Sequence, residues 1–240
     1  DAFDAALEED LSAIVESAAK TRGVNLGSET ARAILAMRDG DGSDVTEEYV
    51  FSNEPGKWRA DPINPTQEPL GEEWHNVKPF VLNSASQFRA SQPPSMETPE
   101  YTAAYNEAKA VGGDGVTTPT TRSEEQTQIG NYWAYDCTPS LCAPPRLYNQ
   151  ITRQIALDEG VTGAELARLL ALVNASMADA GIAVWESKYH YNFWRPVTGI
   201  RESDPGTGPM GLGDGNAETI GDPTYVPLCA PASNLAGPNF

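Results

Sequence analysis

Residues 162–194 read TGAELARLLALVNASMADAGIAVWESKYHYNFW, and the spacing of their apolar side chains decides the fold. Leu166, Leu169, Leu170, Val173, Met177, Ala180 and Val184 recur at three- and four-residue intervals, which places them in one stripe along an α-helix. Thr162 with Glu165 three residues on has the form of a capping box and predicts the helix start. Ala171, Ala175, Ala178, Gly181 and Ala183 leave room for close neighbours. The expectation is therefore a long helix reaching about residue 194 in the middle of a bundle.

Helical patterning extends outward from this segment. Gly160 ends a predicted helix over about 146–159, and Ser123-Glu124-Glu125-Gln126 has capping-box form ahead of Ile129, Tyr132 and Trp133. Thr98-Pro99 places an N-cap and a first-turn proline before Tyr101, Tyr105 and the Gly112-Gly113 stop. Phe3, Leu7, Leu11, Ile14, Val15 and Ala18 predict a first helix over about 3–22, stopped by Gly23, and a second follows over about 28–37. Between these groups, residues 53–99 carry Pro55, Pro62, Pro65, Pro69, Pro79, Pro93, Pro94 and Pro99, which break any long helix. Trp58, Trp74, Phe80, Val81, Leu82 and Phe88 make that stretch a wrapping segment expected to pack across helices, rather than a tether. Residues 203–234 are Gly- and Pro-rich loop. With almost no strand pattern, the predicted class is all-α: helical bundle with a long Pro-rich wrap.

The balance of 34 acidic against 16 basic residues, a formal charge of -18 and a pI near 4.3, disfavours nucleic acid and anionic membrane as partners. No run of about 20 apolar residues is evident, so no membrane span is expected. Cys137 and Cys142 flank a turn-rich segment and could close a small loop in an oxidising compartment, leaving Cys229 over. The chain opens on Asp1 inside a helical pattern and closes on Asn239-Phe240 without a final element, so it reads as cut at both ends. A removed leader would fit a secreted or periplasmic protein. Asp39-Gly40-Asp41-Gly42-Ser43-Asp44 invites a calcium reading, but an EF-hand needs glycine and a carboxylate where counting from Asp39 gives Asp44 and Val50.

The chemistry lies at the end of the long helix, in Lys188-Tyr189-His190-Tyr191-Asn192-Phe193-Trp194-Arg195-Pro196. Seven residues are almost two helical turns, so Lys188 and Arg195 are expected on nearly one face, about 10 Å apart along the axis, with Tyr191 and Asn192 between them. Burying two cations is costly without anions. An oxyanion would suit them, since Arg offers a planar fork for two oxygens and Lys a compact charge for a third. Pairing with Asp179 or Glu186, or exposure to solvent, is the alternative on spacing alone. His190 lies 200° around the helix from Lys188 and is expected to point away from the site. His75, the other histidine, sits in the wrap, where a structural role is expected.

The Lys-x6-Arg-Pro pattern with its aromatic run resembles the first active-site motif of bacterial vanadium-dependent haloperoxidases, within the type 2 phosphatidic acid phosphatase superfamily. Trp58-Arg59, the stretch Lys78-Pro79-Phe80-Val81-Leu82, Gln87-Phe88-Arg89 and Glu125-Gln126-Thr127 with Tyr132-Trp133 are similar to that family as well. The resemblance implies an all-helical enzyme that oxidises halide with hydrogen peroxide and halogenates a small organic substrate. Vanadate would be its cofactor, and phosphate could occupy the same place. Lys188 and Arg195 would hold the oxyanion's oxygens. The family's Pro-Ser-Gly-His and Ser-Arg…His motifs do not occur in these residues, so residues 1–240 are expected to be the N-terminal part of such a domain, inactive alone. A C-terminal segment or second chain would complete the site, and a homo-oligomer is a further expectation. An acid phosphatase-type phosphoester hydrolase and a noncatalytic helical domain or subunit are the alternatives.

Overall fold

The computed structural model describes residues 2–133 and 144–228, so the expected Cys137–Cys142 bridge falls outside the described residues. Seven α-helices and two 3₁₀ turns, with only isolated β-bridges, make the described residues all-α. They form two compact units, Asp1–Asp44 and Val45–Phe240.

The first unit holds α1 (Ala2–Ser12) and α2 (Ala18–Arg38). The sequence pattern placed one helix over 3–22 with a stop at Gly23, whereas the break falls earlier and α2 runs straight through Gly23. Ser12 ends α1 by returning its hydroxyl to the Glu9 carbonyl at 2.7 Å. Ser17 then caps a new helix, its hydroxyl accepting the Lys20 N–H at 3.1 Å. A mid-helix glycine costs about 1 kcal/mol, too little to stop a helix of 21 residues. In the acidic turn that follows, the Asp41 carboxylate accepts the Ser43 N–H at 2.9 Å and pairs with Arg38. The hydrogen bonds from Ser43, with Arg38 adding to them, hold that carboxyl below its ordinary range.

In the second unit the wrap leads through two 3₁₀ turns, Glu72–Asn76 and Ala85–Phe88, to α3 (Pro99–Gly112), α4 (Glu124–Trp133), α5 (Pro144–Asp158), α6 (Gly163–Tyr191) and α7 (Pro196–Glu202). Tyr101 and Tyr105 of α3 pack with Val197 and Ile200 of α7 and with Tyr225, and Ile63, Met96 and Phe193 close around them. Burial pushes the Tyr105 phenol up to about 12, so it stays protonated and donates to the Ile220 carbonyl at 3.0 Å. That bond ties the long Gly/Pro-rich loop to the core. Gly213 is required where this loop folds back, because at its φ of +66 a Cβ would lie 2.3 Å from the Ser203 carbonyl oxygen.

The helix α6 is the scaffold, contacting α5 and both 3₁₀ turns. Asn149 and Asn174 exchange side-chain amide hydrogen bonds of 3.0 and 2.9 Å between α5 and α6. The apolar stripe is only half-buried, and the buried residues of α6 are Asp179, Ile182 and Glu186. Of the large apolar groups expected to fasten the wrap, Val81 and Phe88 are 74% and 69% exposed, whereas Trp58, Phe80 and Leu82 are half-buried. Polar clamps fasten it as well. Asp179 accepts the backbone N–H groups of Phe80, Val81 and Leu82 at 2.6, 2.8 and 2.9 Å, and Ser187 accepts that of Ala90 at 3.0 Å. By length and composition α6 is also apolar enough to cross a membrane, contrary to the expectation that no segment is. In this fold its polar groups are spent on attachments to neighbouring segments.

Candidate oxyanion site

Lys188 and Arg195 are not on one continuous helix. The helix α6 ends at Tyr191, three residues before the expected end, because Asn192 turns left-handed (φ 51, ψ 43) and its N–H bonds the Lys188 carbonyl at 2.8 Å. Asparagine tolerates that conformation better than other residues with a Cβ. Arg195 is the N-cap residue of α7, with Pro196 at the first helical position, where a missing N–H costs nothing. The two cations therefore stand on either side of one tight turn, rather than along one helical face.

That turn is stitched to the wrap. Trp58 donates its N–H to the Asn192 carbonyl and Trp194 donates to the Gly56 carbonyl, both at 3.0 Å, with an antiparallel bridge between Lys57 and Phe193. The Tyr49 hydroxyl donates to the Asn192 side-chain oxygen. Backbone and side chain of the cap are thus held together.

Lys188 is exposed, with its ammonium 4.4 Å from the centroid of the Trp185 ring, a cation–π contact worth about 0.5–1 kcal/mol at an exposed site. Arg195 is half-buried, and burial depresses its guanidinium while the nearby Asp61 carboxylate works against that shift. Asp61 is only 3% exposed. Its own carboxyl is raised by burial, opposed by the Ile63 N–H and by the charges of Arg201 and Arg195. Behind them Arg59 makes a buried ion pair with Glu202 at the far end of α7. A half-buried cation beside one turn and an exposed cation opposite it suit an anion with several oxygens.

The carboxylates considered as alternative partners are committed elsewhere. Asp179 is saturated by the wrap's backbone, and Glu186 takes Arg89, whose Nε donates to its two oxygens at 2.8 and 3.0 Å. His190 shares the Glu186 face of α6, and its Nε2 lies 3.3 Å from an Arg89 nitrogen. His75 stacks on Tyr189 with centroids 5.4 Å apart. Both histidines line an open cleft of about 720 Å³ with Lys78, Arg89, Glu186 and Tyr189. Among the described residues no three His, Cys, Asp or Glu side chains group as a metal site. Sequence reasoning missed Asp61 and Tyr49, because only tertiary structure brings them to α7 and the turn.

A family model described as the VCPO second helical-bundle domain matches residues 168–239, a span that includes Lys188, Arg195 and α7. The vanadium chloroperoxidase of Curvularia inaequalis is 35% identical over 210 residues, covering 78% of this chain and 32% of that protein. A bacterial vanadium-dependent iodoperoxidase of known crystal structure aligns with a TM-score of 0.57 at 28% identity, covering 73% of this chain and 43% of that one. The chain thus spans about a third of the curated relative's length. Over these spans the chain is similar to vanadium haloperoxidases, in keeping with its all-helical fold and the Lys188/Arg195 turn.

Proposed function

We propose that this chain contributes the lysine–arginine part of an oxyanion site which, in a complete protein, serves vanadate-dependent oxidation of halide by hydrogen peroxide. The observation that carries this reading is the placement of Lys188 and Arg195 across a turn fixed to the wrap on both sides. Arg195 presents a fork for two oxygens, and Lys188, oriented over Trp185, presents a compact charge for another. Together they would offset charge on the bound anion and on oxygens that gain charge in the reaction. Bound vanadate would supply a pentavalent centre that polarises peroxide without changing its own oxidation state. In the overall reaction halide loses two electrons, the peroxide O–O bond breaks, and hypohalous acid and water leave. The matches to chloroperoxidase and iodoperoxidase favour this over phosphoester hydrolysis, for which the same cations would serve. An exported location accords with the strongly acidic composition.

Calorimetric titration with orthovanadate, and separately with inorganic phosphate, tests the site in the chain itself. Lys188→Ala and Arg195→Ala should each weaken binding by about tenfold or more. Parental affinity in both variants would remove the assignment.

A further inference from the structure

Asp61 is an unusual carboxylate. It is among the most buried charged residues described, at 3% exposure. Its Oδ1 accepts the Ile63 N–H at 2.8 Å, yet its Oδ2 is buried without a hydrogen-bond partner among the described residues. Such an oxygen normally costs stability. The backbone explains where it sits: residues 56–58 are stitched to 192–194, so the chain that continues to Asp61 is carried alongside α7. There Arg59 pairs with Glu202, and Asp61 lies within electrostatic range of Arg195 and Arg201. The Arg201 guanidinium already donates to the Tyr225 carbonyl at 2.7 Å.

Asp61 Oδ2 thus lies buried within the field of Arg195 and Arg201 while spent on no hydrogen bond among the described residues. We propose that Asp61 is a built-in counter-charge, occupying the electrostatic role of the oxyanion so that Arg195 is tolerated when the anion is absent. The inference rests on the oxyanion reading of Lys188 and Arg195. It assigns Asp61 a double effect, stabilising the anion-free protein and weakening the anion's hold through repulsion. Folding and oxyanion binding are then coupled through one carboxylate.

The test follows thermal unfolding of the parent chain, Asp61→Asn and Glu202→Gln while inorganic phosphate or orthovanadate is increased. Asp61→Asn should unfold at lower temperature without oxyanion, bind phosphate about tenfold more tightly than the parent, and regain the parent's midpoint as phosphate rises. Glu202→Gln breaks the neighbouring buried pair and should lower the midpoint while leaving phosphate affinity unchanged. Parental or weaker phosphate affinity in Asp61→Asn would overturn the proposal, as would equal tightening in Glu202→Gln. If Asp61→Asn does not fold, Asp61→Asn with Arg195→Gln should, because charge rather than shape is then at fault; failure of that double variant also overturns it. Should neither oxyanion shift any of the three proteins, the oxyanion reading itself falls. Binding by the parent without the Asp61→Asn gain sinks this inference alone.

Discussion

The backbone N–H of Phe80 donates to Asp179 Oδ1 at 2.6 Å, and the next two N–H groups fill Oδ2, so one carboxylate in the middle of α6 holds a turn of the wrap. A carboxylate that accepts backbone N–H groups in this way is strongly bound, and its removal leaves partly buried donors without partners. Asp179→Ala should destabilise the chain by about 3 kcal/mol. Asp179→Asn should lose nearly as much, since its amide nitrogen would face the wrap's N–H donors. Urea unfolding followed by tryptophan fluorescence measures both, and a loss under about 0.5 kcal/mol would show that the wrap is held by other means.

The Arg89–Glu186 pair should make stability acid-sensitive. The hydrogen bonds from Arg89 hold the Glu186 carboxyl below its ordinary value, and Glu186 in turn raises the guanidinium. A carboxyl depressed in the folded protein stabilises it above the unfolded glutamate value and loses that contribution as pH falls through the folded value. Urea midpoints between neutral pH and about pH 3 should fall less steeply in Glu186→Gln than in the parent. Identical slopes would mean that the pair is too solvated to matter.

Helix starts were legible where the signal is local. Thr98 accepts the Tyr101 N–H at 3.3 Å as its pattern predicts, and Ser123 and Gln126 form the reciprocal capping box, with bonds of 3.1 and 2.8 Å. Thr162, by contrast, has the capping-box spacing but makes no side-chain cap bond. Helix ends were harder to read. Phe193 and Trp194 continue an apolar run that hides the stop, while a left-handed Asn192 becomes visible only through its partners Tyr49 and Trp58, far away in sequence. The polar part of the wrap's attachment was not legible, because Asp179 and Glu186 find their partners about a hundred residues upstream. Lys188 and Arg195 were found by motif, but their geometry depends on that turn. Asp61 carried no local signal, since a single aspartate in a proline-rich segment is ordinary until burial strips it of water.

His190 offers a check on which face of α6 bears the site. Its ring faces Arg89 on the side shared with Glu186, two residues around the helix from Lys188. His190→Ala should leave orthovanadate or phosphate affinity within about threefold of the parent, because its ring faces Arg89 and packs on Tyr191. A loss comparable to that of Lys188→Ala would move the site to the histidine-lined cleft.

Asn192 does two things that separate variants can tell apart. Its left-handed backbone ends α6, and its side-chain oxygen accepts the Tyr49 hydroxyl. Asn192→Gly keeps the first and loses the second, as Tyr49→Phe does, so each should cost about 1 kcal/mol, and the double variant little more than either alone. Asn192→Ala loses the bond and strains the backbone as well, adding about 1 kcal/mol. If the turn sets the relation between Lys188 and Arg195, oxyanion affinity should follow backbone geometry more closely than stability does. Asn192→Gly would then bind phosphate close to the parent, and Asn192→Ala distinctly more weakly. Paired unfolding and titration measurements decide this: equal affinities in the two variants would show that the cations find the anion whatever the turn's conformation.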